Sequence, residues 1–396
     1  MPDKPSIAVL PFENLSGDPE QEYFSDGLTE EIITALSKIG SMFVIARNST
    51  FTYKGKPVKI KQVAEDLGVR YVLEGSVRKA EDRVRINAQL IDALKGHYLW
   101  AERYDRKLKD LFALQDEITM NILTALQVNL TAGERIRVLL RNTDNLNAYQ
   151  KYLKARVHYL RFNPADNAIA RKLYEEAIAL DPEFLGAILD LAWTHIMDTF
   201  FGRSQSPTES YERAVQLAQR MINLDKSSAG AYMTLGYISA IKGQFEEAIA
   251  LGEKAVTLSP GDSIQMGVLS SILSSAGRYE EALSLIKKAI RLDPFPLPWY
   301  HTVAGGCYFF LERYEEAIDE YKKVLYRNQN NLPARIRITA AYSILGQEQK
   351  ARASASEVLR INPKFRIKTY ATSLPGKNKE DKDLYINALR NAGLPE

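Results

Sequence analysis

The hydrophobic rhythm of the chain changes twice. Ser6-Ile7-Ala8-Val9-Leu10-Pro11-Phe12 is a short apolar run closed by a proline, which predicts a buried strand ending in a turn. Residues 14–22 are loop-like, with Gly17-Asp18-Pro19 as turn punctuation. Leu28, Ile32, Ile33 and Leu36 then fall at helical spacing. Residues 42–46 predict a second strand, and Ile60, Val63, Ala64 and Leu67 a second amphipathic helix, stopped by Gly68. From Tyr71 the period becomes two. Residues 71–77 and 84–91 alternate around Ala80-Glu81-Asp82, predicting an antiparallel hairpin with one solvated face, and a third alternating stretch runs from Tyr98 to Tyr104. Leu111, Leu114, Ile118, Ile122, Leu123 and Leu126 return to helical spacing. The order β-α-β-α-β-β-β-α predicts an α+β domain with a mixed sheet over residues 1–128.

Residues 129–146 are polar and predict a linker or an extension of the preceding helix. Beyond them the pattern is helical throughout and repeats. Ala170, Ala214, Ala248, Ala282, Ala317 and Ala351 are separated by 44, 34, 34, 35 and 34 residues. Twelve residues after each stands Pro182, Lys226, Pro260, Pro294, Gln329 or Pro363. A period near 34 with a small residue at fixed phase predicts stacked helical hairpins. Small residues also precede the last four alanines by twelve positions: Gly236, Ser270, Gly305 and Thr339. Seven residues after the alanines come Ala177, Met221, Ala255, Ala289, Val324 and Val358, so one face of each second helix is compact. About six hairpins over residues 147–366 make an all-α superhelical solenoid, with residues 367–396 as a tail and capping helix. The long first interval predicts an inserted loop at Thr199–Pro207.

In stacked hairpins the first helices line the concave face. By this registration Met233, Tyr237 and Ile241 face inward from one hairpin, with Gly230 and Ala240 beside them. Trp299, Thr302, Phe309 and Phe310 face inward from another, around Gly306, and Trp193, Ile196 and Met197 from an earlier one. A partner protein or peptide is therefore expected on Trp193, Ile196, Met233, Tyr237, Ile241, Trp299, Thr302, Phe309 and Phe310, aromatic anchors being common at binding hot spots. Two competing expectations stand beside it. Trp193 and Trp299 pack between hairpins, or the groove is filled by the C-terminal segment or the first domain. Clamps for a peptide C-terminus use Lys and Asn at two of these positions. Met233, Gly267, Thr302 and Ile336 stand at the first of them, so no such clamp is expected.

Composition changes this picture little. The 52 basic and 49 acidic residues leave a net charge of +3, too balanced to suggest nucleic acid or a membrane surface as partner. No window approaches the roughly 20 apolar residues of a membrane span. The start, Met1-Pro2-Asp3-Lys4-Pro5, carries no secretory apolar region, so a cytoplasmic location is expected, or a periplasmic one if a membrane segment precedes the chain. Cys307 is the sole cysteine, which excludes an intrachain disulfide. The acidic stretch Asp18, Glu20, Glu22, Asp26, Glu30 and Glu31 lacks the spacing of a calcium loop and fits a solvated loop leading into a helix N-terminus. Gly55-Lys56-Pro57 lacks the upstream glycine of a phosphate loop. His97 is alone in the first domain, and His158, His195 and His301 sit on three different helices. No catalytic residue, metal or cofactor is expected, and the oligomeric state is open.

Several blocks resemble known families. Ser6–Phe12, Phe24-Ser-Asp-Gly-Leu-Thr-Glu-Glu-Ile32, Val72-Leu-Glu-Gly-Ser-Val77 and Leu99-Trp-Ala-Glu-Arg-Tyr-Asp105 resemble the TolB amino-terminal-like domain. The form is the one found beside tetratricopeptide repeats in bacterial class III adenylate cyclase and winged-helix activator proteins. Gly243-Gln-Phe-Glu-Glu-Ala248, Gly277-Arg-Tyr-Glu-Glu-Ala282 and Arg313-Tyr-Glu-Glu-Ala317 resemble the tetratricopeptide repeat itself. The resemblance implies a non-enzymatic interaction and regulatory scaffold with a sensory or docking first domain. Its alternative is the detached regulatory half of a class III adenylate cyclase, with cyclic-nucleotide synthesis by a separate catalytic domain.

Overall fold

The computed structural model describes residues 4–139, 143–373 and 377–396. Leu140–Asn142 of the expected linker and Leu374–Gly376 of the expected tail lie outside the described residues. The chain divides into two compact units, one of residues 1–235, 254–262 and 292–295, the other of residues 236–253, 263–291 and 296–396.

The first unit opens with β1 (Ser6–Val9), β2 (Glu13–Asn14), α1 (Glu22–Ser37), β3 (Phe43–Val44), α2 (Arg47–Thr50) and α3 (Ile60–Leu67). It continues with β4 (Tyr71–Ala80), β5 (Arg83–Asp92), β6 (His97–Lys107), α4 (Leu111–Ala125) and α5 (Ala132–Leu139). The strands form one mixed sheet in the order β3-β1-β4-β5-β6, with β2 also on β4. β1 is parallel to both its neighbours, and β4, β5 and β6 are antiparallel. The two-residue β2 and the four-residue α2 are additions to the expected order, both too short to leave a periodic signal. Leu28, Ile32 and Leu36 of α1 and Ile118 and Ile122 of α4 join Ile7, Val9 and Ile86 in the core on one side of the sheet. Val63, Ala64 and Leu67 of α3 join Ala8, Leu10 and Val72 on the other. Gly68 ends α3 at φ +64, the left-handed conformation that side-chain-free residues adopt most readily. α5 starts with a capping box: Glu134 N–H donates to Thr131 Oγ1, and Thr131 N–H donates to Glu134 Oε2 at 3.0 Å.

The remaining chain is a succession of helices: α6 (Leu146–Tyr159), α7 (Pro164–Leu180), α8 (Leu185–Phe200), α9 (Pro207–Leu224), α10 (Ala229–Ile241), α11 (Phe245–Leu258) and α12 (Ser263–Ser275). They are followed by α13 (Tyr279–Leu292), α14 (Pro298–Phe310), α15 (Tyr314–Arg327), α16 (Leu332–Ile344), α17 (Glu348–Ile361), α18 (Ile367–Ser373) and α19 (Lys379–Asn391). All six phase-marking alanines are buried. The small residues of the first helices are there for close approach. A Cβ on Gly236 would stand 3.0 Å from the Ala248 carbonyl oxygen, and Ser270 Oγ donates to the Ala282 carbonyl at 2.7 Å.

The inserted segment differs from the expected loop. α8 and α9 have 16 and 18 residues where α10 and α11 have 13 and 14, and residues 201–206 alone join α8 to α9. Most of the extra length is therefore helix, because Thr199 and Phe200 continue α8 and the Ser206-Pro207 cap starts α9 early.

Candidate functional site

The second unit holds most of the expected partner surface. Trp299, in the first turn of α14, is partly exposed, and its ring leans on Tyr300 with centroids 4.3 Å apart. A Cβ on Gly267 would lie 2.5 Å from Trp299 Cη2, so the glycine is what lets the indole lie against α12. Thr302 Oγ1 donates to the Pro298 carbonyl at 3.3 Å. Tyr237 is partly buried, and Ile241, the last residue of α10, is 44% exposed. Ile264 is similarly exposed and has no counterpart among the expected residues.

Phe309 and Phe310 divide. Phe309 is buried among Phe310, Tyr314 and Tyr385, with centroids at 5.2, 5.4 and 5.4 Å. Phe310 is partly exposed and stacks on Tyr279 at 4.9 Å, and the Tyr279 hydroxyl donates to Asp381 of α19. The C-terminal helix thus lays Tyr385 against Phe309. In the first unit Trp193 is partly buried, while Ile196 and Met233 are fully enclosed. Ile196, Met233 and Phe309 are packing residues in this structure, and Trp193, Tyr237, Ile241, Trp299, Thr302 and Phe310 keep surface.

The first unit contains features that sequence periodicity does not reveal. Phe162, Phe200 and Phe201 touch one another with centroids 5.2–5.7 Å apart, and Phe162 and Phe200 are 59% and 65% exposed. Arg156 on α6 carries a charge cluster: its guanidinium pairs with Glu30 of α1 and, at 2.7 Å, with Asp190 of α8. Tyr174 Oη donates to the same Asp190 carboxylate at 3.0 Å, and Arg47 Nε lies 3.3 Å from Glu30. Burial raises the Asp190 carboxyl above its ordinary range, and Arg156 and Tyr174 oppose that shift. Burial also lowers the Arg47 guanidinium, with Glu30 opposing. At a third place Asp293 is completely enclosed, accepting from Ser49 Oγ at 2.5 Å and from Asn48 Nδ2 at 3.2 Å. Ala46 N–H donates to the Leu292 carbonyl, and Phe295 N–H to Ser49 Oγ, so the start of α2 is sewn to the turn after α13. These pairings link residues up to 246 positions apart and have no local signature.

Among the described residues no group of three or more His, Cys, Asp or Glu is placed to hold a metal ion. Cys307 is buried and its thiol is pushed up to about 11, the wrong direction for a nucleophile. No described helix is long and apolar enough to cross a membrane.

Residues 3–121 match the family model of the HilA/YgeH-like transcriptional regulator, second domain. Residues 202–263 match a tetratricopeptide repeat model, and residues 241–324 that of anaphase-promoting complex, cyclosome, subunit 3. A protein of Rhizobium meliloti (strain 1021) named "Putative adenylate cyclase 3" is 48% identical over 235 residues, covering 59% of this chain. The match spans 40% of that relative's own length. Among solved structures, the Cut9–Hcn1 hetero-tetramer of the anaphase-promoting complex is 17% identical, with a TM-score of 0.48 over 71% of this chain and 54% of that one. YrrB, a TPR protein with an unusual peptide-binding site, is 19% identical, with a TM-score of 0.37 over 51% of this chain and 98% of its own. TolB from Acinetobacter baumannii is 21% identical, with a TM-score of 0.24 over 32% of this chain and 29% of its own. From α6 onward the chain is a tetratricopeptide-repeat solenoid, following a mixed-sheet domain of six strands.

Proposed function

We propose that this chain is a non-enzymatic regulatory scaffold of the cytoplasm that binds a partner protein or peptide through its repeats. The observation that carries the reading is the repeat fold itself, whose first helices keep Tyr237, Ile241, Trp299, Thr302 and Phe310 partly exposed within one compact unit. Aromatic side chains that combine area with few rotamers make effective anchors. The first domain serves as a sensory or docking module, and neither nucleic acid nor a cofactor takes part. The test is capture of partners from source cells by the wild type and by an Ile241→Asp, Trp299→Ala variant. Partners retained by the wild type and lost by the folded variant support the reading, and identical captures oppose it.

A second reading is favoured by the Rhizobium meliloti relative: the chain acts as the detached regulatory half of a class III adenylate cyclase. In that case the chain alone forms no cyclic AMP but changes the rate of a cyclase catalytic domain mixed with it. An unchanged rate at saturating chain removes this reading.

A further inference from the structure

The C-terminal segment does more than close the array of hairpins. A cap needs to touch only the last hairpin, α16–α17, and α19 does rest on α16. The same segment also meets earlier hairpins in their order along the chain, all within the second unit. Lys377 N–H donates to the carbonyl of Ser275, the last residue of α12, at 2.9 Å, and its ammonium pairs with Glu246 of α11 at 2.8 Å. Asp381, four residues on, accepts from the hydroxyl of Tyr279, the first residue of α13. Tyr385, four further on, sets its ring against Phe309 of α14 with centroids 5.4 Å apart. Residues four apart share a helix face, so one stripe of α19 follows successive hairpins.

The second observation concerns how α19 is built and held. It carries its own helix signals: Asn378 Oδ1 accepts the Glu380 N–H at 3.0 Å, Glu380 and Asp381 stand in the first turn, and Arg390 stands in the last. Its buried residues are Tyr385, Ala388 and Leu389, while residues 377–380 and 383–384 are exposed. The Lys377–Glu246 pair is exposed on both sides and adds little. A short amphipathic helix with one narrow apolar stripe, seated across several hairpins, has the form of a bound ligand helix.

We propose that α19 is a displaceable occupant of the repeat surface, and that the partner seats an amphipathic helix in its place. That helix carries an acid, an aromatic and a branched aliphatic residue at four-residue intervals, the pattern of Asp381, Tyr385 and Leu389. Recognition of a helix in a groove is read through such evenly spaced anchors. The proposal rests on the reading of the repeats as a partner-binding surface and adds its regulation. A tethered ligand acts at an effective concentration of about 1 mM, so only a partner that outcompetes α19 enters.

The test is fluorescence anisotropy of a labelled synthetic peptide of residues 377–396 titrated with full-length chains. Wild type binds it weakly, because its own α19 fills the site. The Tyr385→Ala, Leu389→Asp chain, altered in α19 and intact in the hairpins, binds it at least about tenfold more tightly, as expected when the open fraction rises from a tenth or less. Adding Tyr279→Phe, which removes the hydroxyl that meets Asp381, weakens that binding roughly three- to tenfold. Hydrogen exchange of the unaltered chain gives a second measurement: α19 amides exchange faster than those of α14 and α16, because α19 opens without the hairpins. Equal affinity of wild type and the folded variant, indifference to Tyr279→Phe, or α19 amides as protected as those of α16 overturns the assignment. Failed partner capture with intact peptide binding to the opened chain counts against the scaffold reading alone and leaves the displaceable helix standing.

Discussion

At the scale of single residues, Arg156 ties three helices of the first unit together. It reaches Glu30 and Asp190 from different helices with its side chain only 18% exposed. Removing one partner of such a cluster strands the others, so Arg156→Met is expected to destabilise the unit by about 3–5 kcal/mol in urea denaturation. Adding Asp190→Asn to it recovers part of that loss, because Glu30 keeps Arg47 as its partner, and a single variant within about 1 kcal/mol of wild type contradicts the account. His195 supplies a pH dependence. Burial, reinforced by Arg171, pushes its imidazole down from 6.5 to about 4. Between those values the unfolded chain takes up a proton that the folded chain refuses. Stability therefore falls as pH drops from 6.5 toward 4 and gains no further slope from this residue below 4. His195→Asn flattens that part of the profile, and an unchanged slope argues against the assignment. Neither residue's role was legible in the sequence, because Arg156 and His195 are ordinary helix residues until distant partners close around them.

At the scale of elements, far more was legible. The alanine phase and the small residues opposite it predicted which helix faces meet, since a hairpin period is imposed by local packing every 34 or 35 residues. The period could not show how the extra residues of the first interval were shared between α8, the turn and α9, because added helix and added loop lengthen it equally. In the sheet domain the alternation of β4 and β5 marked the hairpin, yet Gly75 inside β4 gave no sign of its purpose. There a side chain would run into the Asn87 carbonyl and the Phe12 ring, closer than atoms pack. Gly75→Ala is expected to cost about 1–3 kcal/mol, against the usual gain from replacing a strand glycine. A variant as stable as wild type in thermal unfolding would show that the β5 backbone at Asn87 and the Phe12 ring both give way freely, contrary to this account.

At the scale of the molecule, the core of the sheet domain does not end where its pattern of elements ends. Ala148, Tyr149, Leu153, Tyr174 and Phe184 belong to the same buried cluster as Leu28 and Ile118, and the Leu153 side chain lies against Gly27. A fragment of residues 1–128 is therefore expected to exchange its β4 and β5 amides much faster than the full chain does. Equal protection would show that the domain folds alone. The hydrophobic pattern announced two rhythms and hence two kinds of structure, but a shared core is a long-range pairing that neither rhythm encodes. The same holds for the partner surface. Registration named Phe309 and Phe310 together, and only the packing of α19 separates covered Phe309 from partly open Phe310.

The central claim, that the repeats hold a partner protein or peptide, is tested most directly by a photo-crosslinking amino acid placed at Ile241 in source cells. Tyr326 on α15, 92% exposed, serves as the control position. The account predicts discrete adducts from position 241 that vanish when Trp299→Ala is added and are absent from position 326. Adducts that are equal at both positions, or unaffected by Trp299→Ala in a folded chain, would contradict it.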